Sequence, residues 1–157
     1  MQRPIGGVVF ALAPVALLAA GLWAIAARPA GSAAQEDEKQ PVFVNLTSGT
    51  NDLHAACMGL GLAQNALKDG RKVTVFVNVH APKLATRGLS RNVKFMDFPP
   101  VRDMVASLIK GGARVLVCEH CAHLVGVREK DLARGARIAR HGDVFRAAHP
   151  HSLCFSY

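Results

Sequence analysis

Aromatic and acidic side chains are scarce in this sequence. Phe, Trp and Tyr make up 6% of its 157 residues, and 11 Asp and Glu stand against 19 Lys and Arg, which gives a net charge of +8. Such a charge can attract nucleic acid, anionic lipid or an acidic protein. The basic residues are scattered, however, with few aromatic rings between them on which bases could stack. We therefore expect a basic, solvated surface and no nucleic-acid partner.

Charge is absent from residues 5–27, which follow a single early Arg3. Small residues come next, at 30–34, and this order of positive start, apolar middle and small residues is typical of a secretory signal. An apolar stretch of this length could also span a bilayer of about 30 Å. We therefore predict that residues 1–34 are a signal peptide or an N-terminal membrane anchor. The protein would then be periplasmic, either soluble after cleavage or attached to the inner membrane through residues 5–27.

Strand and helix patterns alternate along the rest of the chain, after a polar linker at residues 35–41. Apolar, β-branched runs predict strands, and apolar residues at helical spacing predict helices. The predicted strands are 41–46, 72–78, 114–117 and the tail 151–157; the predicted helices are about 52–68, 101–110 and 129–140; residues 80–98 are predicted to be a long loop. This order predicts one α/β domain at 42–157, in three layers, with a mostly parallel sheet of about five strands and helices on both faces.

Two of the four cysteines, Cys118 and Cys121, lie three residues apart, directly after a predicted strand. Reactive groups of parallel sheets gather at the carboxyl ends of the strands, so we expect these thiols at the rim of the sheet. Covalent haem attachment would need a histidine directly after the second cysteine, where this chain has Ala122. A haem cofactor is therefore not predicted.

A metal site is the next alternative. Cys118, His120, Cys121 and His123 are zinc ligands by type, but four ligands within six residues are hard to close around one tetrahedral ion. A second pair, His54 and Cys57 on the first predicted helix, could contribute only if that helix pointed at the motif. We therefore predict no metal or other cofactor, and keep metal binding as the least favoured hypothesis.

Thiol chemistry fits the motif better. The thiolate is the reactive form of cysteine, and a helix start or neighbouring cations stabilise it. We predict Cys118 as the nucleophile, Cys121 as the resolving or second thiol, and His120 and His123 as groups that tune the pair. A disulfide between the two cysteines could form in an oxidising periplasm. A purely structural Cys118, buried at the strand end, stays open as an alternative.

The loop after the first strand would reach the same edge of the sheet. We predict that it shapes the floor of a substrate pocket through Thr47, Ser48, Gly49 and Asn51. The other two cysteines, Cys57 and Cys154, are predicted to pack in the core.

Two stretches, VFVNLTSGTNDLHAACMGLGLAQNALKDGRKVTVFV and VRDMVASLIKGGARVLVCEHCAHLVGV, resemble DsrE/DsrF-like sulfur-relay proteins. The likeness covers roughly residues 42–145. It implies a small α/β domain that assembles as a trimer or hexamer, with a cysteine at this strand end that takes up sulfur as a persulfide and passes it on. Cys118 matches that cysteine by position, eight residues before Gly126. The implied partners are other copies of the chain and a sulfur donor or acceptor, either a protein or a small thiol.

The favoured hypothesis is therefore an exported DsrE-like protein that handles sulfur, or exchanges thiol and disulfide, through Cys118. The main alternative is a non-enzymatic, membrane-anchored oligomeric subunit that serves binding or assembly through its sheet edges or the loop at 80–98.

Overall fold

The computed structural model describes residues 39–148 and 150–157. The predicted signal or anchor at 1–34 and most of the predicted linker lie outside this part of the chain. Within it, no helix has both the length and the apolar character needed to cross a bilayer.

Five parallel strands form one sheet in the order β4-β3-β2-β1-β5. The strands are β1 (Val42–Leu46), β2 (Val73–Val77), β3 (Arg114–Val117), β4 (Ala136–Ile138) and β5 (Leu153–Ser156). The three central strands are almost continuously apolar, as expected where a parallel sheet is buried on both faces. The predicted α/β fold with a mostly parallel sheet of about five strands is confirmed.

In the part of the chain that the structure describes, four helices accompany the sheet: α1 (Leu53–Lys68), α2 (Val101–Lys110), α3 (Glu119–Leu124) and α4 (Asp143–Ala147). Two short 3-10 turns, Pro82–Ala85 and Glu129–Asp131, interrupt the connecting loops. Helix α1 begins where the Asp52 carboxylate accepts a hydrogen bond from the N–H of Ala55 at 2.9 Å, which satisfies one of the unpaired donors of the first turn.

The core has a large and a small part on opposite faces of the sheet. On the first face, alternate strand residues such as Val44, Val75 and Val115 pack with α1 and α2. On the second face, Phe43 and Leu116 pack against Ala147 of α4 in a smaller cluster. The helices therefore cover both faces, although α4 covers much less than α1 and α2.

The predicted helix at 129–140 is wrong. Gly135 has a φ of 98°, a conformation that side-chain-bearing residues avoid, and a Cβ there would overlap Ile109 of α2. The chain turns at this glycine, and the residues that follow pair with β3 as the edge strand β4.

The structure confirms the prediction for one of the two remaining cysteines and contradicts the other. Cys57 is buried in α1 with 0% of its surface exposed, as predicted. Cys154 is exposed instead of packed in the core, because it lies on β5, an edge strand whose four residues are all exposed.

Candidate thiol site

Cys118 lies at the carboxyl edge of the sheet, directly after β3. Its N–H donates to the carbonyl of Val77 at 2.9 Å, continuing the β2–β3 ladder, and its own carbonyl accepts from the N–H of Ala122 at 2.8 Å. The residue is thus the junction at which β3 becomes α3. Its side chain is half-buried, so the sulfur is neither a core atom nor fully in solvent.

Cys121 lies one turn further along α3, close enough to Cys118 for that residue to raise the pKa of its thiol. Both thiols are free and half-buried. Burial raises the pKa of Cys121 most, and the hydrogen bond and charge of Cys118 raise it further. Cys121 therefore tends to keep its proton.

The backbone N–H of Val79 acts against these effects. It lies near enough to the Cys121 sulfur to lower the pKa of that thiol. Val79 follows β2, which is the strand next to β3 in the sheet, and its side chain is 49% exposed. The backbone N–H of Cys121 itself acts in the same direction, so two main-chain groups partly offset the effect of burial.

The backbone of Val79 adopts an unusual conformation. Its φ is 52°, in the left-handed region that costs a β-branched residue roughly 1–2 kcal/mol. The N–H of Asn78 donates to Leu46 at 2.9 Å and that of His80 to Thr47 at 3.0 Å, so both neighbours are fixed to the end of β1. Strain of this kind persists only where the surroundings enforce it, and it is concentrated at functional sites.

Sequence reasoning missed Val79. The sequence did contain a usable signal, since residues 79 and 80 directly follow a predicted strand and so had to reach the same edge of the sheet as Cys118. The left-handed conformation of a valine, in contrast, has no signature in the sequence.

The predicted pocket residues and the cysteines follow strands that are not neighbours in the sheet. Strand β2 lies between β1 and β3, so the turn at Val79 separates the end of β1 from the end of β3. Thr47 is also bound to the end of β5, since its Oγ1 donates to the carbonyl of Tyr157 at 2.6 Å. The Asn51 side chain accepts from the N–H of Gly49 at 2.9 Å, and Ser48 donates its N–H to Tyr157 at 3.1 Å. Their pocket role stays a prediction.

His120 and His123 are both exposed on α3. In the part of the chain that the structure describes, no hydrogen bond or ion pair joins either ring to a sulfur. Arg128, beyond the helix, is paired with Asp131 at 3.3 Å. The tuning role of the two histidines therefore stays a prediction, and the contacts that the structure gives to Cys121 come from Cys118 and backbone amides.

The second pair of potential metal ligands is not brought to the motif. Cys57 faces the backbone N–H of Phe95, and burial raises the pKa of its thiol. The His54 ring stacks on that of Phe95 with centroids 4.7 Å apart. Among residues 39–148 and 150–157, no group of three or more His, Cys, Asp or Glu side chains is arranged to hold a metal ion.

Comparison with known proteins assigns the family. Residues 40–149, well over half of the chain, match the DsrE/DsrF-like family. The chain belongs to this family. The match includes the strand-end motif with Cys118 and Cys121, so the resemblance found in the sequence is confirmed.

The chain is similar to a curated protein and to two solved structures. The uncharacterized protein MJ0760 of Methanocaldococcus jannaschii is 34% identical over 98 residues, which are 62% of this chain but only 36% of that protein. The ychN protein of E. coli has a TM-score of 0.63 at 14% identity, over 76% of this chain and all of that one. MTH1491 of Methanobacterium thermoautotrophicum has a TM-score of 0.57 at 14% identity, over 75% of this chain and 98% of that one. At such identities the two structures show a shared fold.

Proposed function

We propose that this DsrE/DsrF-like protein carries sulfur, or exchanges thiol and disulfide, through Cys118, with Cys121 as the resolving thiol. The observation that carries the proposal is the position of two free, half-buried thiols, one helical turn apart, at the carboxyl edge of a parallel sheet. A structural thiol would be fully buried, as Cys57 is. A fully exposed pair would lack the burial that raises the pKa of Cys121.

Loading with sulfur is a substitution at a sulfur atom. The thiolate of Cys118 attacks the outer sulfur of a donor persulfide, R–S–SH; the donor S–S bond breaks and the donor leaves as its thiolate. Cys118 then carries the persulfide, Cys118–S–SH. Attack of an acceptor thiolate on the outer sulfur reverses this step and transfers the sulfur without net oxidation of Cys118.

Cys121 allows a second reaction of the Cys118 persulfide. Its thiolate attacks the inner sulfur of the Cys118 persulfide, which forms the Cys118–Cys121 disulfide and releases hydrosulfide. The two cysteines lose two electrons and the released sulfur gains them. Two equivalents of a small thiol then reduce the disulfide. The Val79 N–H stabilises the negative charge that Cys121 must carry before it attacks.

The test is peptide-resolved mass analysis after brief treatment with polysulfide and capping with an alkylating agent. We expect one added sulfur on Cys118, and a longer-lived adduct in Cys121→Ser because the resolving thiol is gone. Cys154→Ser removes an exposed thiol on β5 and is the matched control, which should load like the wild type. A Cys118 peptide that stays unloaded in Cys121→Ser as well as in the wild type would refute the proposal.

A second candidate function, an oligomeric assembly subunit, rests on the exposed edge of the sheet. Leu153 and Phe155 on β5 are 37% and 36% exposed, and Phe145 on α4 is 80% exposed. We propose that a second copy of the chain covers this edge, since an open edge strand offers unpaired backbone groups to another chain. Light scattering of the wild type and of Phe155→Lys tests it: the lysine variant should be smaller. Equal masses would exclude this surface. Export and membrane attachment stay predictions.

A further inference from the structure

A cleft of about 960 Å³ opens at the amino-terminal edge of the sheet, opposite the cysteines. It lies where β2 and β3 begin and where α1 and α2 end, and α4 closes one side. Its lining residues are Gln40, Pro41, Leu67, Gly70, Arg71, Lys72, Val73, Thr74, Gly111, Gly112, Arg114, Arg146, Ala147 and His151. A cleft of this volume is in the range of small-molecule sites.

The lining is strongly basic. Four of its described side chains are Lys or Arg and none is Asp or Glu. The whole sequence has 19 Lys and Arg against 11 Asp and Glu. A lining with four basic side chains and no carboxylate is therefore more basic than the protein as a whole. Positive charge is therefore concentrated in this concave surface.

Two of the arginines are held in place by aspartates that lie outside the lining. Asp69 accepts from Nε of Arg71 at 2.8 Å, and Asp143 accepts from Arg146 at 2.7 Å. Each pair leaves other guanidinium N–H groups for a ligand, and a guanidinium fixed in this way loses less entropy when it binds. The aspartates reduce the local charge but orient the donors.

Arg114 has the most hydrogen-bond donors left for a ligand. It is exposed at the first position of β3, and its guanidinium has no hydrogen-bond or ion-pair acceptor among the residues that the structure describes. A planar group with five N–H donors matches the oxygens of a phosphate.

The C-terminal ends of α1 and α2 would repel an anion, since helix C-termini carry partial negative charge. Their last carbonyls are already occupied, however. Those of α1 accept from the N–H groups of residues 69–71, and those of α2 from residues 111–113. Gly70 and Gly112 have open space where a Cβ would be, so the backbone at these ends leaves the mouth of the cleft clear.

We propose that this cleft binds a phosphate-bearing ligand, either a soluble phosphorylated compound or the phosphate headgroup of an anionic lipid, with Arg114 as its principal contact. The site is separate from the sulfur chemistry, because it lies at the opposite edge of the sheet, and either proposal can fail without the other.

The experiment measures binding of the full chain to two probes. Pyrophosphate is titrated by calorimetry, and vesicles of phosphatidylcholine with or without phosphatidylglycerol are tested by cosedimentation. The variant Arg114→Gln removes the principal contact. Arg102→Gln removes one exposed arginine from the first turn of α2, at the other edge of the sheet, and is the matched control.

We expect Arg114→Gln to bind at least about tenfold more weakly, the effect of losing one charge-assisted contact, and Arg102→Gln to bind like the wild type. Pyrophosphate binding with this pattern supports a soluble ligand. The same pattern seen only with phosphatidylglycerol vesicles supports a lipid headgroup. Absence of binding to both probes, or equal weakening by the two variants, would overturn the proposal.

Discussion

Gly49 and His80 are packed backbone against backbone: a Cβ on Gly49 would overlap the carbonyl group of His80. This contact joins the loop after β1 to the turn after β2. The same turn holds Val79, whose N–H lies near the Cys121 sulfur and lowers the pKa of that thiol. Gly49 therefore affects the thiol site through the position of a backbone, without contacting either cysteine itself.

Replacing Gly49 by alanine should push the turn at Val79 away from the cysteines. We expect Gly49→Ala to lower the free energy of unfolding by about 1–3 kcal/mol, the usual cost of overpacking, and to raise the pKa of Cys121. Denaturant unfolding and the pH dependence of Cys121 alkylation measure the two effects.

The control is Gly61→Ala, in the middle of α1, where the added Cβ would make an ordinary 3.7 Å contact with Phe98. An alanine there should stabilise the protein by roughly 0.5–1 kcal/mol and leave Cys121 as it is. If the two variants behaved alike, close packing at Gly49 would have no special role.

Two substitutions separate the effect of the Val79 N–H on Cys121 from the strain of the Val79 backbone. Val79→Pro removes the N–H and cannot adopt a positive φ, so we expect the pKa of Cys121 to rise and stability to fall by more than about 1 kcal/mol. Val79→Gly keeps the N–H and tolerates the conformation. It should alter the unfolding free energy by less than about 1 kcal/mol, because relieved strain offsets the entropy of glycine. Peptide-resolved alkylation against pH distinguishes them, and identical profiles for both variants would contradict the role of the N–H.

Sequence patterns predicted the positions of four of the five strands and of α1 and α2, because the spacing of apolar residues in a helix or strand depends on which of its faces is buried. They also placed Cys118 at the sheet rim, since that follows from its position after a strand. The error at 129–140 arose where Gly135 turns the chain beside Ile109. That contact joins residues far apart in sequence, and no local pattern encodes it.

Asp143 should make stability depend on pH in the acid range. Hydrogen bonds from Arg137, from the N–H of Arg140 and from Arg146 hold the pKa of its carboxyl well below the usual 3.8. A lowered native pKa means that the carboxylate contributes its full stabilisation above pH 3.8 and loses it as pH falls toward the native value.

Asp143→Asn should therefore unfold more easily at pH 7 and lose less stability on acidification than the wild type. Melting temperatures measured from pH 7 down to about pH 2 test this. Asp103→Asn breaks an exposed ion pair with Arg91 at 3.5 Å and should change stability by less than about 1 kcal/mol. An acid profile of Asp143→Asn that parallels the wild type would contradict the assignment.

The four cysteines should react with an alkylating agent in an order set by exposure. Cys154 is exposed, Cys118 and Cys121 are half-buried, and Cys57 is fully buried with a raised pKa. We expect Cys154 to react first and Cys57 to react only when the protein unfolds, since a buried thiol is neither accessible nor ionised. Timed alkylation with peptide mapping gives the order directly, and rapid modification of native Cys57 would show that α1 opens locally.

The sequence by itself determined the α/β class, the strand that precedes Cys118 and the spacing of the two cysteines, because these depend on residues close together in the chain. Tertiary structure alone decided that Val79 is the neighbour of Cys121, that Cys154 lies on an exposed edge, and that residues from five separate segments line one basic cleft. These features depend on the order β4-β3-β2-β1-β5. The physical reason is that strand order is set by how the helices pack across the sheet, which brings distant loops together at each edge.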